Sequence, residues 1–541
     1  MPHTRVDVHK GPAPLKWLIV ALAGLVALVL GALLALPWLV DAPRVQAYVA
    51  QAASQVLGRP VRFASFSVSA FPAPSVRLKG LQVAEDPRFG TQPFLTVAEG
   101  RVGLKLRPLL TGHVELSDLT LDKLRLEVIE DGGRLNIASL GASTPGARPA
   151  PRAPGAAAPA AGAAAVIAQV RIKDGVIHYV RRGPSATDLR LEGVDLTVRP
   201  SGETLTLAGA AQLAPGGTRL KLSDATLALG AGRPLGEAPL RGMVDLDGRD
   251  VGPLARSFIA SPGVAGSVAG RLQLGGTLTQ PTAQGELTFA RLLLSERQPR
   301  CPAPVDRQLK LDGIHVPIAF KLSQLDSAPL TAQVASGRVS ARLSTALAGA
   351  TRPVTLKDVE VKGVELGPIL VDYLCSGFAA TGPLDLTGDF TFQAGEPMRT
   401  LDGAGRLRLG RGRVVGSEAL GLLRDIVAVA GAVGALAEPG KVAAPLRPLD
   451  FDSVTASFRI VNGIVTTNDL DYQGQGLSAS AAGSYSLADG RTEMAVTLTQ
   501  GRNQIKARVT GAVGGKLVAV PTGVTVGGRD AVKELLDRLL R

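Results

Sequence analysis

Long stretches of this chain alternate apolar and polar residues with a period of two, and that pattern constrains the fold more than any other feature. Val76-Arg-Leu78-Lys, Leu124-Arg-Leu126-Glu-Val128 and Val170-Arg-Ile172-Lys all read this way. Successive side chains of a strand point to opposite faces, so each stretch makes a strand with one apolar and one polar face. Turn signals such as Asp131-Gly132-Gly133 separate the strands and favour antiparallel hairpins over helical crossovers. A glycine-bounded cassette repeats the theme in Gly270-Arg-Leu272-Gln-Leu274-Gly275, Gly382-Pro-Leu384-Asp-Leu386-Thr-Gly388 and Gly405-Arg-Leu407-Arg-Leu409-Gly410. Its irregular spacing implies neither a fixed-period solenoid nor a propeller. A sheet of such strands must cover its apolar face by closing into a barrel, by packing on a second sheet, or by curling so that the face lines a groove. Periodicity alone does not choose among the three.

The second constraint is the uncharged run from Trp17 to Val40, long enough for a membrane-spanning helix. The chain's two tryptophans, Trp17 and Trp38, stand at its ends. At about 1.5 Å per helical residue their indoles would lie roughly 31 Å apart, close to the thickness of a bilayer's hydrocarbon core, so they read as two aromatic belts. The run continues into Leu-Pro-Trp-Leu-Val with no small-x-small cleavage site, which favours an uncleaved anchor over a signal peptide. Arg5, Lys10 and Lys16 precede it, whereas Asp41 and Arg44 follow it closely. The short N-terminus is therefore expected in the cytoplasm and the rest of the chain outside it.

The expected organisation follows from composition. Residues 1–16 are a cytoplasmic N-terminus, 17–40 the anchor, and 42–140 a helix with a β module. The Ala/Pro/Gly-rich segment 141–165 is a linker that cannot bury enough surface to order itself. Residues 166–400 form a central β region and 401–528 a C-terminal β module containing a helix over 417–430. The chain closes on an amphipathic helix, 529–541, with Val532, Leu535, Leu536, Leu539 and Leu540 on its apolar stripe. Cys301 and Cys375 would be free to pair in an oxidising compartment, although the sequence does not fix their separation.

The signatures of chemistry are missing. No G-x-S-x-G elbow occurs, and Gly511-Ala-Val-Gly-Gly-Lys516-Leu517 lacks both the spacing and the hydroxyl of a phosphate loop. Gly410-Arg-Gly412-Arg-Val-Val-Gly416 misses the dinucleotide fingerprint by one residue. The histidines have no metal-ligand spacing, and no pair of carboxylates stands out as an acid and a base. We therefore expect a non-enzyme with no cofactor, no metal and no catalytic residue. The net charge of +13 is spread over alternating strands without aromatic partners, at only 4% aromatic residues, so no nucleic-acid partner is expected.

Several strings resemble the bacterial AsmA family. They are Gly58-Arg-Pro-Val61, Phe66 to Gly80, Asp86-Pro87-Arg-Phe89, Leu104 to Gly112, Leu119-Thr-Leu121-Asp-Lys-Leu124 and Gly133-Arg-Leu135-Asn136-Ile137, directly after an anchor. Leu401 to Gly405, Gly412 to Gly416 and Val454 to Leu487 are similar to the family's C-terminal part, and Gly416-Ser-Glu-Ala-Leu420 departs from it. The resemblance implies a mainly β protein in which a curled antiparallel sheet forms an elongated groove, held by one transmembrane helix and related to bridge-like lipid transfer proteins. It also implies an inner-membrane protein with a periplasmic body that moves glycerophospholipid towards the outer membrane.

On that reading Val76, Leu78, Leu124, Leu126, Val128, Leu272, Leu274, Leu384, Leu386, Leu407 and Leu409 line the groove. The partners are phospholipids, the inner membrane through the anchor, and the outer membrane or an envelope protein at the far end. The alternative is an anchored scaffold that assists outer-membrane protein assembly. Alkaline phosphatase, active only in an oxidising compartment, is expected to be active when fused after Pro60. A β-galactosidase fusion active at the same point would contradict the orientation.

Overall fold

The computed structural model describes residues 58–69, 75–104, 116–139, 168–183, 187–229, 235–257, 262–298, 301, 306–321, 324–346, 353–376, 379–416, 418–421, 450–512, 517–527 and 529–530, with scattered positions between 47 and 57. The anchor with Trp17 and Trp38, the 141–165 linker, most of the 417–430 helix and the stripe from Val532 to Leu540 lie outside the described residues. Among the described residues no helix is long and apolar enough to cross a membrane.

The protein is mainly β and divides into two compact units. The first holds the described residues up to Val180 with Leu191–Ala210 and Thr226–Ala238; the second holds Arg181–Arg190, Ala211–Ala225 and everything from Pro239. In the first unit, strands Val61–Arg62 and Ser65–Ser69 pair with Ser75–Val83, which pairs with Leu95–Leu104, which pairs with Leu116–Asp131. The second unit is a long meander in which sequential strands pair from Leu240–Gly248 to Leu517–Val526. All of these pairings are antiparallel, as the turn signals predict. Asp131-Gly132-Gly133 makes the expected tight turn, with both glycines at positive φ (55° and 77°). Arg529 and Asp530, which periodicity assigns to the terminal helix, pair as a short strand with Val526 and Thr525.

Many strands are too long for simple alternation to serve them: Pro281–Arg297 has 17 residues and Asp306–Lys321 has 16. A residue in the left-handed conformation interrupts strand after strand and resets the alternation. In Ser75–Val83, Val76 and Leu78 lie on the half-buried side; beyond Gly80 (φ 62°) it is Leu81 and Val83 that turn inward. Lys123 (φ 53°) does the same between Leu121 and Leu124, and Asp224 (φ 49°) between Leu222 and Ala225. Gly193 (φ 57°) separates Leu191 from Val194, and Gly313 (φ 56°) separates Leu311 from Ile314. Strand Pro353–Glu365 resets twice, at Asp358 and Gly363.

Each reset keeps both halves of a strand apolar on one side. Such irregularities also bend the strand and increase its twist. Left-handed backbone favours Gly and tolerates Asp, the residue types at each of these positions except Lys123. The amide released from the ladder needs another acceptor, and at the left-handed residues Asp174, Asp358 and Gly363 an aspartate on the neighbouring strand supplies one. Asp174 N–H donates to Asp195 Oδ1 (3.2 Å), Asp358 N–H to Asp389 Oδ1 (2.8 Å) and Gly363 N–H to Asp385 Oδ1 (2.9 Å).

In the second unit, a short helical segment, Gly367–Tyr373, follows strand Pro353–Glu365 and touches strand Asp306–Lys321. A disulfide between Cys301, which is buried, and Cys375 ties its end to the loop after Pro281–Arg297, answering the question that the sequence leaves open.

A Cβ at Gly313 would meet no atom within 4 Å, so a substitution there tests the backbone alone. Gly313→Val is expected to cost about 1–2 kcal/mol in denaturant unfolding, and Gly313→Asn clearly less. Equal costs for the two would contradict the account.

Candidate functional site

The candidate site in each unit is a surface, built from rows of apolar side chains that run across the strands. Residues directly opposite one another in an antiparallel pair share a face, so register assembles the rows. In the first unit Val76 stands opposite Val102, Leu78 opposite Gly100, Val97 between Leu81 and Leu124, and Leu95 between Val83 and Leu126. In the second unit Leu272 lies between Val244 and Gly285, and Leu274 between Gly242 and Ala283. Leu384 opposes Leu409, which opposes Val454; Leu386 opposes Leu407, which opposes Ala456. The three cassettes thus contribute to apolar rows within one unit.

Burial separates the second unit's rows from an ordinary core, whereas the first unit's rows run into one: Val83 and Val97 are buried, and Leu81, Leu95 and Leu126 pack against the buried cluster of Val61, Val83 and Phe94. Of the eleven groove candidates only Leu124 (5% exposed) and Leu409 (6%) are buried; Val76, Leu78, Leu126, Val128, Leu272, Leu274, Leu384, Leu386 and Leu407 are half-buried. Their strand neighbours Arg77, Arg125, Arg271, Asp385, Arg406 and Arg408 are exposed. In the second unit one face therefore holds hydrocarbon that is for the most part neither sealed away nor fully in water, and the other holds charge.

Glycines shape the apolar face. In the register of the last two cassettes, Gly388 opposes Gly405 and Phe390 opposes Gly403. A Cβ at Gly403 would come within 2.7 Å of the Phe390 ring, and one at Gly405 within 2.8 Å of the Phe458 ring. The two rings stack with centroids 6.2 Å apart. This aromatic patch occupies space that side chains on Gly403 and Gly405 would fill.

The polar face is laced by cross-strand pairs, including Arg271 with Asp245 and Arg291 with Asp312, both at 2.6 Å. His178 sits 2.7 Å from Glu127 and His315 3.3 Å from Glu286, as strand-surface residues. Among the described residues no group of His, Cys, Asp or Glu is placed to hold a metal ion.

A second constellation was hidden in the sequence because its members are far apart along the chain. Arg59 is buried, with its guanidinium 3.0 Å from Glu85 Oε1, donating also to the Asn136 carbonyl and Ser139 Oγ, and 4.5 Å from the centre of the Phe94 ring. Asn136, fully buried, donates to Glu85 Oε2 (2.7 Å) and to the Glu127 carbonyl, and accepts the Ile129 N–H. Asp86 accepts from Arg88 and Ser139, and the Arg88 hydrogen bond holds its carboxyl well below the usual range. Three of the strings that carry the family resemblance, around Arg59, Asp86 and Asn136, thus converge on one buried polar lock. It ties the chain's first described turn to the strand ends of the first unit.

Residues 12–246 match the family model described as AsmA family. No curated protein and no solved structure matches the chain.

Arg59→Ala would leave Glu85 buried without its cation, so a loss of about 3–5 kcal/mol in the stability of the first unit is expected. A change below about 1 kcal/mol in denaturant unfolding would show that the lock is not structural.

Proposed function

The chain belongs to the AsmA family, and from that premise we propose that its body is a lipid-transfer surface on which glycerophospholipid tails move along an apolar β-groove. The observation that carries this reading is the half-buried state of rows whose members are in register from strand to strand. A closed core would remove such leucines from water almost entirely. A face that stays partly open can instead accept methylenes, each of which gains about 0.8 kcal/mol on leaving water. The bends at the left-handed residues support a trough, because a bent sheet flanks its own concave side.

The anchor over 17–40 would place the body beside a lipid source in the inner membrane, with the bulk in the periplasm. The Cys301–Cys375 disulfide supports an oxidising compartment. Movement towards the outer membrane would then serve outer-membrane integrity. No chemical step is required of the protein: the polar face keeps the body soluble, and the apolar face solvates the tails.

The test is mass spectrometry of organic extracts from the body, residues 42–541, purified from a Gram-negative host. Stoichiometric glycerophospholipid is expected in the wild type. Leu384→Asp with Leu386→Asp, which places two carboxylates in the rows, should lower it about tenfold or more. Unchanged lipid in a folded variant, or a lipid-free wild type, would overturn the reading and leave the scaffold function in its place.

A further inference from the structure

The polar face of the second unit has a place where its charge pattern breaks. Several arginines of the unit pair with carboxylates: Arg342 lies 3.4 Å from Asp358, Arg413 2.6 Å from Asp450, and Arg411 3.3 Å from Asp452. Arg406 instead stands between Thr387 and Ser457, and Arg459 between Ala404 and Thr466. Neither has a carboxylate within ion-pair distance among the described residues. Both are exposed, and they line a depression of about 640 Å³ together with Thr387, Ser457, Thr466 and Asn468. The nearest acids on this face are already engaged by backbone amides. Asp389 accepts the Asp358 N–H, Asp402 the Asn462 N–H, and Asp469 both the N–H and the hydroxyl of Ser457.

Beside this basic depression the same face turns apolar. Val461 and Ile464 form the last pair of the hairpin, one alternation step beyond Arg459 and Thr466 and therefore on their side. They are 50% and 46% exposed. Met398, 57% exposed, belongs to the adjoining turn, which is fastened to the hairpin tip: Gly463 N–H donates to the Leu401 carbonyl (2.8 Å). Arg399 follows it directly and is also exposed. Three of the most exposed large apolar residues in the described chain thus share a tip with unpaired arginines.

We propose that this tip and depression dock on the surface of an anionic bilayer, with Val461, Ile464 and Met398 entering the interface and Arg406 and Arg459 taking lipid phosphates. A soluble anion would use the arginines and leave the apolar tip without a role, whereas a bilayer interface supplies acidic head groups and hydrocarbon side by side. This contact lies on the face opposite the leucine rows. It adds a membrane-holding site to the proposed groove and stands or falls separately from it.

The test uses the full-length protein in phosphatidylcholine nanodiscs, mixed with phosphatidylcholine vesicles with or without phosphatidylglycerol and separated by flotation. The wild type is expected to float with the anionic vesicles only. Arg406→Gln with Arg459→Gln should weaken partitioning about thirtyfold. Val461→Ser with Ile464→Ser should weaken it too, and should abolish the part that survives high salt. Leu384→Asp with Leu386→Asp, which impairs the groove, should float as the wild type does. The proposal is overturned if either tip variant, with an unchanged melting curve, floats like the wild type, or if the wild type binds neutral vesicles equally well.

Discussion

The structure depends on one constraint: a strand of 9 to 16 residues must bend and still present hydrocarbon on a single side. Strict alternation meets the second demand only while the strand stays regular. A single left-handed residue, placed after an apolar-x-apolar-x run, lets the next apolar pair fall on the same side with the opposite parity, as in Leu119-Thr-Leu121-Asp-Lys123-Leu124-Arg-Leu126 and Leu309-Lys-Leu311-Asp-Gly313-Ile314-His-Val316. The exposed backbone amide that results is absorbed by aspartates such as Asp385 and Asp389. The polar face therefore supports the irregularity that the apolar face requires. Neither face can be understood without the other.

Much of this was legible in the sequence. The period of two placed Val76, Leu78, Leu272, Leu274, Leu384, Leu386, Leu407 and Leu409 on one side of their strands, and the turn residues gave antiparallel order. The parity resets were also written there, since Gly or Asp recurs between two apolar pairs. They escape a reading that scores only unbroken alternation, because the reset looks like the end of one strand and the start of another. The buried Arg59, Glu85 and Asn136 lock was not legible: its members are separated by 26 to 77 residues, and only folding brings them together. The cysteines fell between these cases. Their compartment preference could be argued, whereas their proximity required the fold.

The two faces divide the physical tasks. Exposed arginine–carboxylate pairs contribute little to stability individually, but they keep a long edge-rich sheet charged and soluble, which discourages pairing with other chains. The leucine rows are held by their ladder partners and by the glycines that make room for Phe390 and Phe458. Stability thus rests on backbone pairing and the buried clusters, such as Val61, Val83 and Phe94 or Leu477, Leu498 and Val509. The half-buried rows are left able to meet a second hydrophobic substance. A transfer surface needs that combination, because a path that bound its cargo as tightly as a core binds its own side chains would not release it.

The most direct measurement of the central claim is photo-crosslinking with a benzophenone amino acid placed, in cells, at neighbouring positions of the paired strands Pro383–Gln393 and Asp402–Leu409. The account predicts phospholipid adducts at Leu384, Leu386 and Leu407 and none at their exposed neighbours Asp385 and Arg408, a period of two in the crosslinking itself. Adducts at both sets alike, or at neither, would contradict it.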